Sequence, residues 1–143
     1  MSLPARAGTV TRTRLTAVAL GDCRRRTADA LATEEPMEIR VDAPGMEQRR
    51  VAVTMRTPGS DFELAAGFLY TEGIVAGTHD VTTVRYCSVP RDEQMYNVVT
   101  VDLTRPYDAD LLQRNFYTTS SCGVCGKASL DSIAVRCAPV AEG

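Results

Sequence analysis

Apolar and polar residues alternate along much of the first half of the chain, which is the pattern of β-strands with one buried face. In residues 34–41 the apolar side chains occupy every second position, and Glu38 and Arg40 occupy the positions between them. The apolar members are Met37, Ile39 and Val41. Turn-forming residues follow at 42–45, and the alternation resumes at 51–56. The two segments predict a β-hairpin that packs one face against a core.

Five further segments have weaker signals. The β-branched segment 9–20 predicts an early strand, and residues 23–29, which include three consecutive arginines, are interpreted as a solvated loop. Two later strands are expected at 81–89 and 94–103, joined by a turn at 90–93, and a short helix at 108–114.

A helix is predicted from Asp61 to about Thr71. Ser60 and Glu63 fit a capping box, in which each side chain satisfies a backbone donor of the first turn, and Gly73 provides the stop. Apolar residues lie on two sides: Phe62, Ala65, Ala66 and Leu69 on one, Leu64 and Phe68 on the other. A helix this apolar is expected to be buried on more than one side, inside the domain or against something absent from this chain.

These elements predict an α+β fold, mainly an antiparallel sheet with a buried helix. Residues 9–117 are expected to form an N-terminal domain that includes the helix at 61–72. Residues 118–143 would hold a Cys-x-x-Cys segment and the start of a further helix, where apolar residues recur at helical spacing. Cys137 lies on that apolar face and is interpreted as structural, like Cys23 and Cys87.

Composition restricts the class of partner. The 143 residues carry a formal net charge of −2, which gives no reason to expect nucleic acid or an anionic membrane as a partner. No apolar run approaches a membrane span, and the N-terminus lacks the apolar region of a secretory signal. Five cysteines with only one close pair favour reduced thiols, so a cytoplasmic location is expected.

The close pair is Cys122 and Cys125, in the sequence Ser-Ser-Cys-Gly-Val-Cys-Gly-Lys. The serines can cap a helix N-terminus, whose partial positive charge, together with Lys127, would favour a thiolate. Such a thiolate could accept sulfur from a persulfide. Two other interpretations stay open: a dithiol oxidoreductase, and a structural zinc module completed by Cys87, Cys137 or His79. His79 is otherwise interpreted as an exposed loop residue.

Several blocks of the chain resemble the FdhD family of formate dehydrogenase accessory sulfurtransferases. In chain order they are Glu34-Glu35-Pro36-Met37-Glu38-Ile39-Arg40-Val41, Met55-Arg56-Thr57-Pro58-Gly59-Ser60-Asp61, Glu63-Leu64-Ala65-Ala66-Gly67-Phe68-Leu69 with Thr71-Glu72-Gly73-Ile74, and residues 120–127 around the cysteines. Together they are far more specific than Cys-x-x-Cys alone.

The resemblance implies a sulfur carrier that takes persulfide sulfur from a cysteine desulfurase. The sulfur would pass to the molybdenum of a bis-pterin guanine dinucleotide cofactor, bound as substrate and destined for formate dehydrogenase. Cys122 matches the family's sulfur-accepting cysteine and Cys125 its partner. No stable metal is expected in the chain itself, and self-association is expected from full-length relatives.

Family members are roughly twice as long as this chain. The resemblance implies a missing C-terminal half, similar to a cytidine deaminase-like α/β domain, that supplies much of the cofactor-binding surface. Whether this chain is active alone is therefore left open. In this half, Arg56 is the one candidate for a contact with the cofactor's phosphates, because it leads into a helix N-terminus.

Overall fold

The computed structural model describes residues 8–19, 23–88 and 95–114, and confirms the α+β class. The strands are β1 (Val10–Ala19), β2 (Cys23–Ala32), β3 (Glu35–Asp42), β4 (Arg49–Arg56), β5 (Val81–Tyr86) and β6 (Val98–Leu103). The helices are α1 (Asp61–Thr71) and α2 (Ala109–Arg114), and a single 3₁₀ turn spans Thr78–Asp80. The predicted turn at 90–93 and all predictions beyond residue 114 lie outside the described residues.

Four strands form one sheet in the order β4-β3-β6-β5. The β3–β4 and β5–β6 pairs are antiparallel, as the sequence predicts. The central pair, β3 with β6, is parallel. This arrangement arises because the chain leaves the hairpin through α1, passes β5 at the edge, and re-enters the sheet beside β3.

The core lies between one face of this sheet and one side of α1. Met37, Ile39 and Val41 of β3 are fully buried, which confirms the alternation read from the sequence. They pack with Val99 and Val101 of β6 and with the helix residues Ala65 and Leu69. Each of the buried methionine, isoleucine, leucine and valine side chains contributes about 1.5–3 kcal/mol through removal of its apolar surface from water.

Helix α1 ends where the sequence predicts. Gly73 has φ of +73°, a conformation that glycine adopts without a Cβ penalty, and its N–H donates to the Tyr70 carbonyl at 3.1 Å. The Ile74 N–H then donates to the Leu69 carbonyl at 2.9 Å, so the last carbonyls of the helix are satisfied. In the described part of the chain, no helix is long and apolar enough to cross a membrane.

The start of α1 differs from the prediction. The Ser60 side chain makes no capping hydrogen bond, so the predicted capping box is wrong. The carboxylate of Asp61 instead accepts a bond from the Gly59 N–H at 3.3 Å. The helix is also less buried than its apolar residues suggest: Phe68 packs against the core, but Phe62, Leu64 and Tyr70 remain exposed.

Residues 23–29, interpreted as a loop, belong to strand β2. All ten residues of β2 pair with β1 in an antiparallel register that runs from Val10–Ala32 to Ala19–Cys23. The polar composition of this segment conceals the strand, because the hairpin has no buried face to impose an apolar alternation. At the base of the hairpin the two strands stay paired one residue further, since the Thr33 N–H donates to the Thr9 carbonyl at 3.0 Å.

The second face of the four-stranded sheet is mostly polar and partly buried. Glu38, placed by the pattern opposite the core, has only 3% of its side chain exposed and lies 2.6 Å from Arg40 Nε and 3.3 Å from Arg50 Nε. Thr100, the β6 partner of Arg40, is fully buried on the same face. Alternation assigned Glu38 and Arg40 to the correct face, but the Glu38 side chain is buried there beside two arginines.

Candidate functional site

The sulfur-handling cysteines predicted from the sequence, Cys122 and Cys125, lie outside the described residues, as do Lys127 and Cys137. The other predicted candidate, Arg56, is described. It occupies the end of β4, directly before the loop that enters α1, where a cluster of polar and aromatic side chains joins three elements.

Arg56 is the centre of this cluster. Only 2% of its side chain is exposed, and its guanidinium donates to the Glu35 carboxylate at 2.9 Å and to the Tyr96 carbonyl at 2.9 Å. Its Nε lies 3.2 Å from the Asp61 carboxylate, an ion pair without a well-aligned hydrogen bond. A buried guanidinium with this set of partners fixes the geometry of the elements around it.

Asp61, the first residue of α1, connects the helix to the sheet. Its side chain is almost fully buried, and besides Arg56 and Gly59 it accepts a hydrogen bond from the Tyr86 hydroxyl at 2.8 Å. A carboxylate in the first turn also opposes the positive end of the helix dipole. One side chain thus stabilises the helix start and holds it against the end of β5.

Aromatic rings cover this junction. The Phe62 and Tyr86 rings lie 4.8 Å apart with their planes inclined by 49°, and Tyr96 meets Tyr86 edge-on at 5.2 Å. Tyr96 has φ of +53°, a conformation rare for a residue with a side chain, and its carbonyl is the one that Arg56 holds. Gly59, Asp61, Phe62, Glu63 and Tyr86 line a small cleft of about 140 Å³ beside these rings.

The predicted contact of Arg56 with a cofactor phosphate stays a prediction. In this geometry a phosphate would have to displace Glu35 or the Tyr96 carbonyl from the guanidinium. The first turn of α1 also carries Asp61 and Glu63, whose charges oppose a second anion there. The contacts of Arg56 with Glu35, Asp61 and the Tyr96 carbonyl give it a structural role in this domain.

The 3₁₀ turn before β5 contains a second charged group. Asp80 is buried, accepts a hydrogen bond from the Ala76 N–H at 2.7 Å and pairs with Arg105 at 2.9 Å. The Ala76 bond, and then Arg105, lower the pKa of the Asp80 carboxyl below its ordinary value of 3.8, against the opposing effect of burial. His79 is exposed, as the sequence predicts.

Cys87 directly follows β5, and its N–H extends the ladder by donating to the Val98 carbonyl at 3.0 Å. The part of the chain that the structure describes contains no group of three or more His, Cys, Asp or Glu side chains placed to hold a metal ion. Asp61, Tyr86 and Tyr96 belong to the cluster but were not expected there from the sequence. Tyr86 and Tyr96 flank the expected turn at 90–93, and this pairing of two aromatic residues across a turn is the one sequence signal for the cluster.

An apolar cleft of about 530 Å³ lies beside the middle and the C-terminal end of α1. It is lined by Ala66, Gly67, Tyr70, Val75, Gly77, Thr78 and Val81.

One family of known proteins matches both the cluster around Arg56 and the cysteine segment. The model of the FdhD/NarQ family matches residues 32–142, which include the cluster around Arg56 and both Cys122 and Cys125. The chain belongs to the FdhD/NarQ family. Within this family member the match leaves out hairpin β1–β2 except for its last residue, Ala32.

Curated relatives of this FdhD/NarQ chain are named "Sulfur carrier protein FdhD". The protein from Mycolicibacterium paratuberculosis is 52% identical over 109 residues, which cover 73% of this chain and 38% of that protein. The Streptomyces coelicolor protein is 48% identical over 110 residues, which cover 73% of this chain and 37% of that protein. The chain therefore spans about two fifths of the length of these relatives.

A solved structure shares the fold. The crystal structure of a putative formate dehydrogenase accessory protein from Desulfotalea psychrophila superposes with a TM-score of 0.54 at 17% sequence identity. The match covers 70% of this FdhD/NarQ chain and 37% of the other. At this level of identity the likeness concerns the arrangement of strands and helix alone.

Proposed function

We propose that this chain is the cysteine-bearing part of a sulfur carrier that serves formate dehydrogenase maturation. The observation that carries the proposal is the Cys122-Gly-Val-Cys125 pair within a match to a family whose curated members are named sulfur carriers at about 50% identity. Reduced thiols are needed for such a role, and we place it in the cytoplasm for that reason.

The first step is acceptance of sulfur. The Cys122 thiolate attacks the outer sulfur of a persulfide on a cysteine desulfurase. A new S–S bond forms on Cys122, the donor's S–S bond breaks, and the donor leaves as a thiolate. The exchange needs no external oxidant or reductant, because one persulfide is consumed and one is made. Its rate depends on the thiolate fraction of Cys122, which Lys127 would raise by its positive charge.

Cys125 has the second role. Its thiolate attacks the inner sulfur of the Cys122 persulfide, forms a Cys122–Cys125 disulfide and releases the outer sulfur as hydrosulfide. The two electrons that reduce the sulfur come from the two cysteines, so a cellular dithiol must reduce the disulfide before another cycle. A spacing of two residues allows this closure.

The acceptor of the sulfur is the molybdenum of a bis-pterin guanine dinucleotide cofactor, which is cargo for formate dehydrogenase. Most of its binding surface would come from the part of the family-length protein that this chain does not span. We further propose that the family-length protein works as a homodimer.

Intact-protein mass spectrometry tests the proposal. The chain is incubated with a cysteine desulfurase and cysteine, without reductant, and a mass gain of one sulfur atom is expected. Cys122→Ala should abolish the gain, Cys125→Ala should affect it less, and Cys87→Ala is the control that leaves it unchanged. Equal labelling in the Cys122→Ala/Cys125→Ala double variant would refute the assignment.

The same samples separate the other interpretations. A zinc module would contain about one zinc ion per chain, with loss of the metal in Cys122→Ala. If the chain alone gains no sulfur but the family-length protein does, the missing part is required for acceptance. If neither gains sulfur, the proposed function is wrong.

A further inference from the structure

Hairpin β1–β2 has one face that is entirely exposed. The register places Val10, Arg12, Arg14, Thr16 and Val18 of β1 on the same side as their β2 partners Arg24, Arg26, Ala28, Ala30 and Ala32. All ten of these residues are exposed to solvent. On the opposite face, Thr13, Leu15 and Thr27 are partly buried. The exposed side is called the arginine face below.

The arginines of this face form a single stripe. Four successive rungs of the hairpin each contribute one guanidinium, in the order Arg12, Arg14, Arg26 and Arg24. Because same-face positions along a strand are about 6.6 Å apart, the stripe is about 20 Å long. Among the described residues the arginine face has no carboxylate, since Asp29 lies on the opposite face with Thr13.

The charge of the hairpin contrasts with the rest of the molecule. Residues 10–32 contain five arginines and two aspartates, a net of +3, in a chain whose formal net charge is −2. The remaining residues therefore sum to −5. An extended polyanion such as nucleic acid or a membrane surface would meet this negative body as well as the hairpin. A short acidic segment would meet the arginine face alone.

Two features of the face favour a protein partner. The hairpin has no aromatic residue on which a base could stack. Val10 and Val18 are exposed on the same face, at 55% and 69% exposure; Val10 lies one rung beyond Arg12, and Val18 lies directly opposite Arg24. Guanidinium groups beside apolar side chains are typical of protein interfaces. Carboxylates at alternate positions of an extended segment repeat at the same interval of about 6.6 Å as the arginines.

We propose that the arginine face is a docking surface for an extended acidic segment of a partner protein. Each guanidinium would hold one carboxylate through paired hydrogen bonds, and the two valines would cover apolar side chains at either end of the segment. The proposal is independent of the sulfur chemistry. It concerns a part of the chain that lies N-terminal to the family match.

Fluorescence anisotropy of the full 143-residue chain with a labelled 12-residue peptide, glutamate at every second position, tests this. The test variant is Arg24→Gln/Arg26→Gln. Its matched control is Arg25→Gln/Arg49→Gln, which removes the same charge from the hairpin's opposite side and from β4. We expect the test variant to bind about fivefold more weakly and the control to bind like the parent chain, with both affinities falling as salt rises.

A second variant, Arg12→Gln/Arg14→Gln, repeats the loss on β1 and guards against a local folding defect, which far-UV circular dichroism would reveal. Equal loss in the test variant and its control, or no binding by the parent chain, would overturn the proposal. Tighter binding to a single-stranded oligonucleotide, or to phosphatidylserine vesicles, with the same dependence on Arg24 and Arg26, would also overturn it by assigning the face to another partner.

Discussion

The Tyr86 hydroxyl donates a hydrogen bond to the Asp61 carboxylate at 2.8 Å, which ties the first residue of α1 to the last residue of β5. The same carboxylate faces the buried guanidinium of Arg56 at 3.2 Å. A helix, two strands and a buried charge pair therefore depend on one side chain.

Replacement of Asp61 tests that dependence. Asp61→Asn keeps the shape of the side chain but removes one of the two carboxylates that face the buried Arg56, the other being the partly exposed Glu35, so we expect a loss of about 2 kcal/mol in the free energy of unfolding. Urea denaturation followed by circular dichroism measures it. The control is Glu63→Gln, an exposed carboxylate in the same turn, whose effect should stay within about 0.5 kcal/mol. Similar losses in the two variants would contradict the role given to Asp61.

Two glycines of the α1 region should respond to alanine with opposite signs. Gly73→Ala places a Cβ on a residue with φ of +73° and should destabilise the chain by about 1 kcal/mol. Gly67→Ala adds a Cβ into open space in the middle of the helix and should stabilise it by about 0.5–1 kcal/mol. Thermal melts of both variants decide the matter, and stabilisation by Gly73→Ala would disprove the assigned helix end.

Buried threonines offer a similar contrast. The Thr100 hydroxyl is buried with no hydrogen-bond partner among the described residues, so Thr100→Val should leave stability unchanged or raise it by about 1 kcal/mol. Thr33→Val removes a hydroxyl that bonds to Thr11 at 2.7 Å and should cost about 1 kcal/mol. Urea midpoints of the two variants are compared. A loss in Thr100→Val as large as that in Thr33→Val would show that the Thr100 hydroxyl is satisfied.

Stability should fall at acid pH in part through Asp80. The hydrogen bond from Ala76 and the pairing with Arg105 lower the pKa of this carboxyl in the folded state. The stabilisation from its charged form is therefore fully present above the unfolded value of 3.8 and is lost as pH falls through the lower, folded pKa. Urea midpoints measured from pH 7 downward should decline less steeply in Asp80→Asn than in the parent chain. If the urea midpoints of the two proteins fall equally with pH, Asp80 does not contribute to the loss of stability in acid.

The sequence predicted the elements whose pattern is imposed by burial. Met37, Ile39 and Val41 alternate because one face of β3 meets the core, and Gly73 marks the helix end because its φ is positive. Hairpin β1–β2 was missed in part because an arm without a buried face has no such pattern. The parallel pairing of β3 with β6 could not be predicted either, since strand order depends on the path of the chain between them.

The two parts of the candidate site differ in how they are expressed in the sequence. Residue types and spacing single out Cys122 and Cys125 as candidates, because thiol chemistry leaves a recognisable motif, and their role stays a prediction. The contacts of Arg56 were not predictable, because its partners at residues 35, 61 and 96 come from separate parts of the chain and only the fold brings them together. A buried arginine and a ligand-binding arginine look the same in sequence.

The parallel pairing of β3 with β6 also determines when β3 can complete its hydrogen bonds during synthesis. Strand β3 pairs with β4 as soon as residue 56 has left the ribosome, but its other edge pairs with residues 98–102. Until those residues emerge, the second edge of β3 presents an open row of backbone donors and acceptors, which is the kind of edge that recruits strands from other chains. The nascent chain is therefore most prone to aggregation in this interval, and a chaperone that covers β3 would protect it there.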